Sequence, residues 1–156
     1  MLETSPKDCI ICARQKQANN RVVYEDAHWI VRHSTETNIL GYYWVESRRH
    51  ILDLSEMNAE ECASYGLLLK NLMEAMRSVV ECKRIYSFAL SETVPHFHLH
   101  VIPRRPDFPK AYSGRGIMQY PLTPTADPAL VDEVCDRTRR ALARNLHGAE
   151  LLSSCR

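Results

Sequence analysis

The stretch HFHLHVI, residues 96–102, decides the fold of this chain and indicates its chemistry. Side chains of a β-strand alternate between two faces, so the pattern predicts one strand with His96, His98 and His100 on the same face. The apolar residues between them then point into a core. Imidazole groups serve near neutral pH as nucleophile, acid, base or metal ligand, and packing alone rarely needs three neighbouring ones. We therefore expect the functional site on this strand.

Four further strands are indicated by short runs of apolar and aromatic residues. They are expected at 22–25, 29–32, 42–46 and 85–90. The first two flank Asp26 as a hairpin, the third is entered through Gly41, and Pro103 is expected to end the histidine strand because proline cannot donate to a ladder. Together with two helices, strands in sequential hairpins predict an α+β fold with a five-stranded antiparallel sheet.

The two helices differ in the signals that predict them. Asn58, with Glu61 three residues later, has the spacing of a capping box. The apolar stripe that follows predicts one helix of about 22 residues. After a Pro- and Gly-rich loop at 106–125, an added C-terminal helix is expected over about 128–147, and Gly148 is expected to end it.

Length and composition indicate one domain of ordinary size. The 156 residues are 45% hydrophobic and 25% charged, as in soluble globular proteins, and a single domain over 1–156 with its core at about 9–105 is expected. The net charge of +1 gives no electrostatic case for a nucleic-acid partner, and no apolar run reaches the ~20 residues of a membrane span. Residues 1–8 lack the apolar segment of a signal peptide, so we expect a cytoplasmic protein with reduced thiols.

Six cysteines in a reducing compartment favour a metal site or free thiols over disulfides. Cys9 and Cys12 have the Cys-x-x-Cys spacing of half a tetrahedral zinc site. The pair alone is a weak signal, because a closed site needs two more ligands. Two unpaired buried thiols are the alternative interpretation.

These motifs resemble those of the histidine triad (HIT) superfamily, whose signature is His-φ-His-φ-His-φ-φ with φ apolar. Residues 96–102 match this signature in full. The sequence CIIC at 9–12 resembles the entry segment of bacterial members, and GYYWVESRRHI at 41–51 resembles the family's Gly-strand-basic-His-Ile segment. The resemblance extends over residues 9–105 and implies the HIT fold, with the C-terminal helix as an addition.

The resemblance implies a nucleotide hydrolase or nucleotidyl transferase that acts on a small-molecule nucleotide. The middle histidine of the family is the nucleophile; it corresponds to His98, which would attack the α-phosphorus and form a nucleotidyl-His98 intermediate. His100 corresponds to the histidine that contacts the transferred phosphate or protonates near the leaving group. Thr93 lies where relatives carry a Ser or Thr near the phosphate, and backbone N–H groups from Ser91 to Thr93 could stabilise negative charge. Ser34 lies at the position that contacts the ribose.

The same resemblance implies a structural zinc ion and a homodimer. In zinc-bearing relatives, the Cys-x-x-Cys pair is completed by the histidine after the third strand and by the first triad histidine. Here these are His50 and His96, which with Cys9 and Cys12 give four ligands. His96 is then a metal ligand rather than a catalytic residue.

Three positions depart from the family pattern and leave the substrate open. Ser34 replaces an Asp or Asn, Tyr42 replaces a common His, and Glu92 replaces a common Gln near the phosphate, where another negative charge is unfavourable. Three alternatives to nucleotidyl transfer stay open. They are hydrogen-bonded sheet histidines without a catalytic role, a zinc-dependent hydrolase whose triad holds the metal, and a nucleotide-binding regulatory module without turnover.

Overall fold

Five antiparallel strands form one sheet, and the histidine strand lies inside it. The computed structural model describes residues 7–18 and 21–153. The strands are β1 (Val22–Glu25), β2 (Trp29–His33), β3 (Tyr43–Ser47), β4 (Arg84–Phe88) and β5 (His98–Arg104), in the spatial order β1-β2-β3-β5-β4. The α-helices are α1 (Ile10–Arg14), α2 (Ala59–Val79) and α3 (Pro128–Ser153). Short 3₁₀ helices lie at Leu54–Glu56, Lys110–Tyr112 and Gly114–Gln119.

The predicted α+β fold is confirmed, with its antiparallel five-stranded sheet, one long helix and an added C-terminal helix. β1 has its predicted ends, and each of the other strands is shifted by one or two residues at one or both ends. The short helix α1 follows Cys9 directly and was not predicted.

The histidine strand begins two residues later than predicted. β5 starts at His98, so His96 precedes the strand. The cause is a bond outside the ladder, because the backbone N–H of Phe97 donates to the carbonyl of Ile51 at 2.6 Å. The prediction that one strand carries all three histidines is therefore wrong for His96.

Two elements, β5 and α3, extend beyond their predicted ends. β5 continues through Pro103, which the sequence analysis expected to end it. Val101 is the last residue paired with β3, so at Pro103 the strand has only β4 as a partner, and proline is tolerated there. α3 continues through Gly148 to Ser153, because a glycine weakens a helix by only about 1 kcal/mol and no proline follows.

The start of α2 confirms the predicted capping box. The Asn58 side chain accepts from the backbone N–H of Glu61 at 2.9 Å, and the Glu61 carboxylate accepts from the backbone N–H of Asn58 at 2.8 Å. Arg49 adds an ion pair to Glu61 at 2.8 Å. Over residues 7–18 and 21–153, no helix is both long enough and apolar enough to cross a lipid bilayer.

α2 and α3 pack against one face of the sheet, and the candidate site lies on the other. The core includes Trp29, Val31, Tyr43, Val45, Leu99 and Val101 from the strands and Leu68, Leu72, Met76, Val131 and Leu142 from the helices. Because side chains alternate, the intervening residues of β3 and β5 point to the opposite face. Helical packing on one face thus leaves the other face open to α1 and to a ligand.

A buried histidine fixes the turn that leads into β3. The Nδ1 atom of His33 lies 2.6 Å from the carbonyl of Ser34, and its Nε2 accepts from the backbone N–H of Gly41 at 2.9 Å. Gly41 has φ +81, and a Cβ there would lie 3.2 Å from Val80. Only a neutral ring makes both hydrogen bonds, and burial lowers the pKa of His33 to about 4.

We expect acid to destabilise the fold partly through His33. An unfolded histidine binds a proton near pH 6.5, whereas folded His33 binds it only near pH 4, so stability is present above 6.5 and lost as the pH falls. Between pH 7 and pH 5 the free energy of unfolding should fall by about 2 kcal/mol from this residue. Urea unfolding at both pH values measures the change.

The variant His33→Gln keeps a donor and an acceptor but does not titrate. It should lose this part of the pH dependence, whereas His147→Gln, at an exposed position of α3, should retain it. Equal pH dependence in His33→Gln and the wild type would contradict the assignment.

Candidate functional site

The pairing of β3 with β5 places aromatic and charged side chains beside the two strand histidines. His98 lies opposite Glu46 and His100 lies opposite Trp44, so all four share the face away from the helical core. A cavity of about 280 Å³ opens over this face. Its other walls are α1, Glu36 and residues 90–94.

The hydrogen bond of His98 assigns its tautomer. Its Nδ1 lies 2.7 Å from the carbonyl oxygen of His96. A carbonyl only accepts, so Nδ1 carries the proton and Nε2 of the neutral ring carries a lone pair. The ring is buried yet lines the cavity. Such an imidazole is arranged to attack an electrophile through Nε2.

His100 is held neutral beside it. The two ring centroids lie 4.9 Å apart, and the ring of His100 stacks on Phe88 at 5.0 Å. Burial, and then the proximity of His98, lower the pKa of His100 to about 4. The hydroxyl of Tyr42 lies 2.7 Å from Nδ1 of His100. When Tyr42 donates, the proton of His100 lies on Nε2 and is available to a ligand.

His96 belongs to a second group of side chains. Its Nε2 lies 2.7 Å from the carbonyl of Ser47, which places the proton on Nε2. Its Nδ1 lies 3.4 Å from the sulfur of Cys9 and 3.4 Å from that of Cys12. Nδ1 of His50 lies 3.5 Å from the sulfur of Cys12.

The structure brings together the four residues that the sequence analysis selected as metal ligands. The ligand atoms of Cys9, Cys12, His50 and His96 all lie within 4.8 Å of one another. Tetrahedral zinc with standard bond lengths separates a nitrogen and a sulfur ligand by about 3.5 Å, which matches the observed distances. Burial, and then Cys9, raise the pKa of Cys12 to about 11, so a cation would have to displace its proton. This group could hold a metal ion.

The possible metal group and the cavity share α1. Cys9 precedes the helix, Cys12 lies within it, and Ile11 and Arg14 of the same helix line the cavity. Gln15 adds a bond from its side-chain amide to the carbonyl of Ser47 at 2.9 Å. An ion bound by the cysteines would therefore also fix one wall of the cavity.

Two of the three predicted substrate-binding residues line the cavity. Ser91 and Thr93 do so, and Ser91, with φ 53, directs its hydroxyl to the carbonyl of His96 at 3.3 Å. Ser34 lies elsewhere: it is buried, and its hydroxyl accepts from the backbone N–H of Glu36 at 3.3 Å. The side chain that lines the cavity from this segment is Glu36.

Sequence reasoning assigned no role at the site to Arg14, Tyr42 or Trp44. Tyr42 contacts His100, while Trp44 and Arg14 line the cavity. Because Tyr42 and Trp44 are two residues apart on a predicted strand, the sequence indicated that their side chains share a face. It did not indicate that this strand pairs with the histidine strand. Arg14 lies in polar sequence that predicts only a loop.

Comparison with known proteins identifies one family. The HIT domain family matches residues 15–107 of the chain. No curated protein sequence matches the chain significantly.

Several solved structures share the fold. A zinc-bound histidine triad family protein from Mycobacterium smegmatis is 24% identical, with a TM-score of 0.67, over 93% of this chain and 99% of that one. A HIT-like protein involved in cell-cycle regulation from Bartonella henselae is 18% identical, with a TM-score of 0.68, over 89% and 99% of the two chains. A histidine triad protein from Marinobacter aquaeolei is 21% identical, with a TM-score of 0.67, over 79% and 88%. Such likeness establishes the fold alone.

Proposed function

Because this chain belongs to the histidine triad (HIT) family, we propose that it is a nucleotide hydrolase or nucleotidyl transferase that acts through a nucleotidyl-His98 intermediate. The observation that carries this proposal is the hydrogen bond from Nδ1 of His98 to the carbonyl of His96. This bond leaves a lone pair on Nε2 of a neutral imidazole in the cavity.

In the first step, Nε2 of His98 attacks the α-phosphorus of a nucleotide conjugate. A nitrogen–phosphorus bond forms, and the bond from phosphorus to the leaving group breaks, with its electron pair leaving on that group. The ring gains positive charge, which the carbonyl of His96 stabilises through the Nδ1 proton. In the second step, water or another acceptor attacks phosphorus and releases its proton to solvent, the nitrogen–phosphorus bond breaks, and its electron pair returns to Nε2.

Two other parts of the cavity support the negative charge of the transferred group. Neutral His100 donates from Nε2 to a phosphoryl oxygen when Tyr42 donates to its Nδ1. Backbone N–H groups of residues 91–93 belong to the wall beside His98 and can stabilise the same negative charge. The hydroxyl of Ser91 also helps to fix the carbonyl that orients His98.

Replacing the nucleophile should abolish both the adduct and the turnover. We expect His98→Ala to lower turnover by roughly 10⁴-fold or more, because no other ring occupies its place. Intact-protein mass spectrometry after brief incubation with nucleoside polyphosphates and phosphoramidates, quenched at alkaline pH, should show a nucleoside monophosphate adduct on wild-type protein only. His147→Gln is the matched control and should form the adduct. Wild-type turnover by His98→Ala would end the proposal.

Tyr42→Phe should slow the reaction without disturbing the fold. The variant keeps the ring but removes the hydroxyl that fixes the tautomer of His100. We expect kcat to fall about 2- to 10-fold, with KM changed less. Because the bond from Tyr42 stabilises the neutral ring, its loss should also raise the pKa of His100 and move the acidic limb of the pH profile of kcat to higher pH, which a purely structural role would not cause. Unchanged kcat and an unchanged pH profile would show that Tyr42 does not position His100.

We also propose that the ion held by Cys9, Cys12, His50 and His96 is structural zinc. Two thiolates and two imidazoles form a set that zinc prefers, and four protein ligands leave no open position for catalysis. The related Mycobacterium smegmatis protein is zinc-bound, which supports the choice of metal. Among the described residues, the only such cluster is this one, and it contains neither His98 nor His100. This disfavours a hydrolase whose triad holds the metal.

Metal analysis tests this assignment. Purified protein should contain about one zinc ion per chain, and Cys9→Ser with Cys12→Ser should remove it and lower the thermal unfolding temperature by several degrees. Cys62→Ser, at an exposed position of α2, is the matched control and should keep the ion, as should His98→Ala. Full zinc content in the double serine variant would contradict the proposed ligands.

A nucleotide-binding regulatory module is the second candidate. Its support comes from Glu92, which replaces a common Gln of the family and lines the cavity, where its negative charge disfavours the added charge of a phosphate in transfer. Tight nucleotide binding without adduct or product in the mass spectrometry experiment would favour it. Homodimer formation stays a prediction from the family resemblance, and a cytoplasmic location stays a prediction from the sequence.

A further inference from the structure

Cys9 and Cys12 lie close enough to each other to form a disulfide. Cys9 directly precedes α1, and its carbonyl accepts the first helical bond, from the backbone N–H of Ala13 at 3.0 Å. Residues three apart on one helical turn face the same side, so the two side chains converge. Their sulfur atoms lie within 4.8 Å of each other, and the two thiols are hydrogen-bonded. A disulfide between them therefore needs only a small movement of the side chains.

The two thiols differ in their access to solvent. Cys9 is buried, with 3% of its surface exposed, whereas Cys12 is only partly buried. A small oxidant that approaches from solvent therefore reaches Cys12 first. Cys9, held against Cys12, is placed to attack the oxidised sulfur. A reactive cysteine beside a resolving cysteine is the arrangement of reversible redox sites.

A bound cation prepares both sulfurs for oxidation. The ion site proposed above holds Cys9 and Cys12 as thiolates, which is the form that peroxides oxidise. Sulfur atoms joined in a disulfide are no longer thiolate ligands. The disulfide and the bound ion therefore exclude each other, and oxidation leaves only the two imidazoles of His50 and His96 for the ion.

We propose that Cys9 and Cys12 form a modification site for peroxides, whose oxidation releases the ion. This inference rests on the proposed ion site and not on the nucleotidyl-His98 intermediate. The Cys12 thiolate attacks one oxygen of hydrogen peroxide, the oxygen–oxygen bond breaks, and a sulfenic acid and hydroxide form. The Cys9 thiolate then attacks the sulfur of Cys12, and a second hydroxide leaves. Two electrons pass from sulfur to the peroxide, and two solvent protons convert both hydroxides to water.

Release of the ion affects the cavity because α1 forms one of its walls. α1 has five residues, too few to be stable alone. Apart from the cysteines, it is held by the ion pair of Arg14 with Glu46. Gln15 adds its bond to the carbonyl of Ser47 at 2.9 Å. Once the cysteines no longer tie α1 to the histidines of the sheet, this wall opens more often.

Peptide mass spectrometry tests the modification directly. Trypsin cleaves after Lys7 and Arg14, so residues 8–14 form one peptide with Cys9 and Cys12 as its only cysteines. Brief treatment of the zinc-loaded protein with hydrogen peroxide should lower the mass of this peptide by about 2 Da, the two hydrogens lost to a disulfide. A colorimetric zinc indicator should detect about one released ion per chain. Dithiothreitol with added zinc should reverse both changes.

Cys62 is the internal reference, and its variant is the matched control. It is an exposed thiol of α2 and belongs to no cation site among the described residues. It should be oxidised about tenfold more slowly than the 8–14 peptide, and Cys62→Ser should release the ion as the wild type does.

A pair of single variants tests the order of attack. Cys9→Ser and Cys12→Ser each remove one sulfur ligand, so their loss of zinc affinity is comparable. With excess zinc, dimedone should trap a sulfenic acid in Cys9→Ser, which lacks the resolving thiol, and label Cys12→Ser several-fold less.

Hydrogen exchange tests the link to the cavity wall. The backbone N–H groups of Ala13 and Gln15 make the helical bonds of α1. They should exchange about tenfold faster in the oxidised protein, and removal of the ion by a chelator without oxidation should give a similar increase. Unchanged exchange in either sample contradicts the link.

Three outcomes overturn the inference. They are an 8–14 peptide that stays reduced when Cys62 is already oxidised, release of the ion without the disulfide, and stronger dimedone labelling of Cys12→Ser than of Cys9→Ser. Purified protein without zinc would end the proposed ion site, and oxidation of its 8–14 peptide would still decide whether the two thiols form a redox site. Absence of a His98 adduct would count against nucleotidyl transfer alone.

Discussion

The antiparallel pairing of β3 with β5 is the constraint on which the rest of the site depends. It places Glu46 opposite His98 and Trp44 opposite His100, and the alternation of side chains turns all four away from the helical core. Beyond the end of this ladder, Phe97 bonds to Ser47 and Ile51 instead of continuing the regular strand. The position of His98 and its surroundings therefore follows from one register; a slip of one residue would exchange the cavity and core faces of the strand.

His96 connects the possible metal ligands to the cavity that contains His98. Its ring contacts the sulfur atoms of Cys9 and Cys12, while its carbonyl accepts from His98 and from Ser91. An ion that fixes the ring also restrains the carbonyl that sets the tautomer of His98. Through His96, an ion without an open coordination position would therefore still affect the groups beside His98.

Local signals in the sequence predicted most of the fold, and long-range pairing determined the rest. The capping box of Asn58 and Glu61 lies within four residues, so it was visible in the sequence and is confirmed. The spacing of Cys9 and Cys12 indicated half of a metal site, whereas His50 and His96 came from the family resemblance. The displacement of His96 from the strand depends on Ile51, 45 positions before it, and could not be read from alternation. Arg14 and Trp44 meet only because α1 packs against β3, which no local pattern encodes.

Glu46 is buried between the guanidinium groups of Arg14 and Arg32, and fold stability alone does not explain this arrangement. Burying Glu46 between two guanidinium groups carries a desolvation cost that an apolar residue on the same strand face would avoid, and such replacements often stabilise proteins. The carboxylate is fully buried, yet Arg14 remains partly exposed at the cavity, with its side chain over Trp44. The arrangement thus keeps one cation directed at the ligand space beside His98. Fold stability alone does not require a charge at that position.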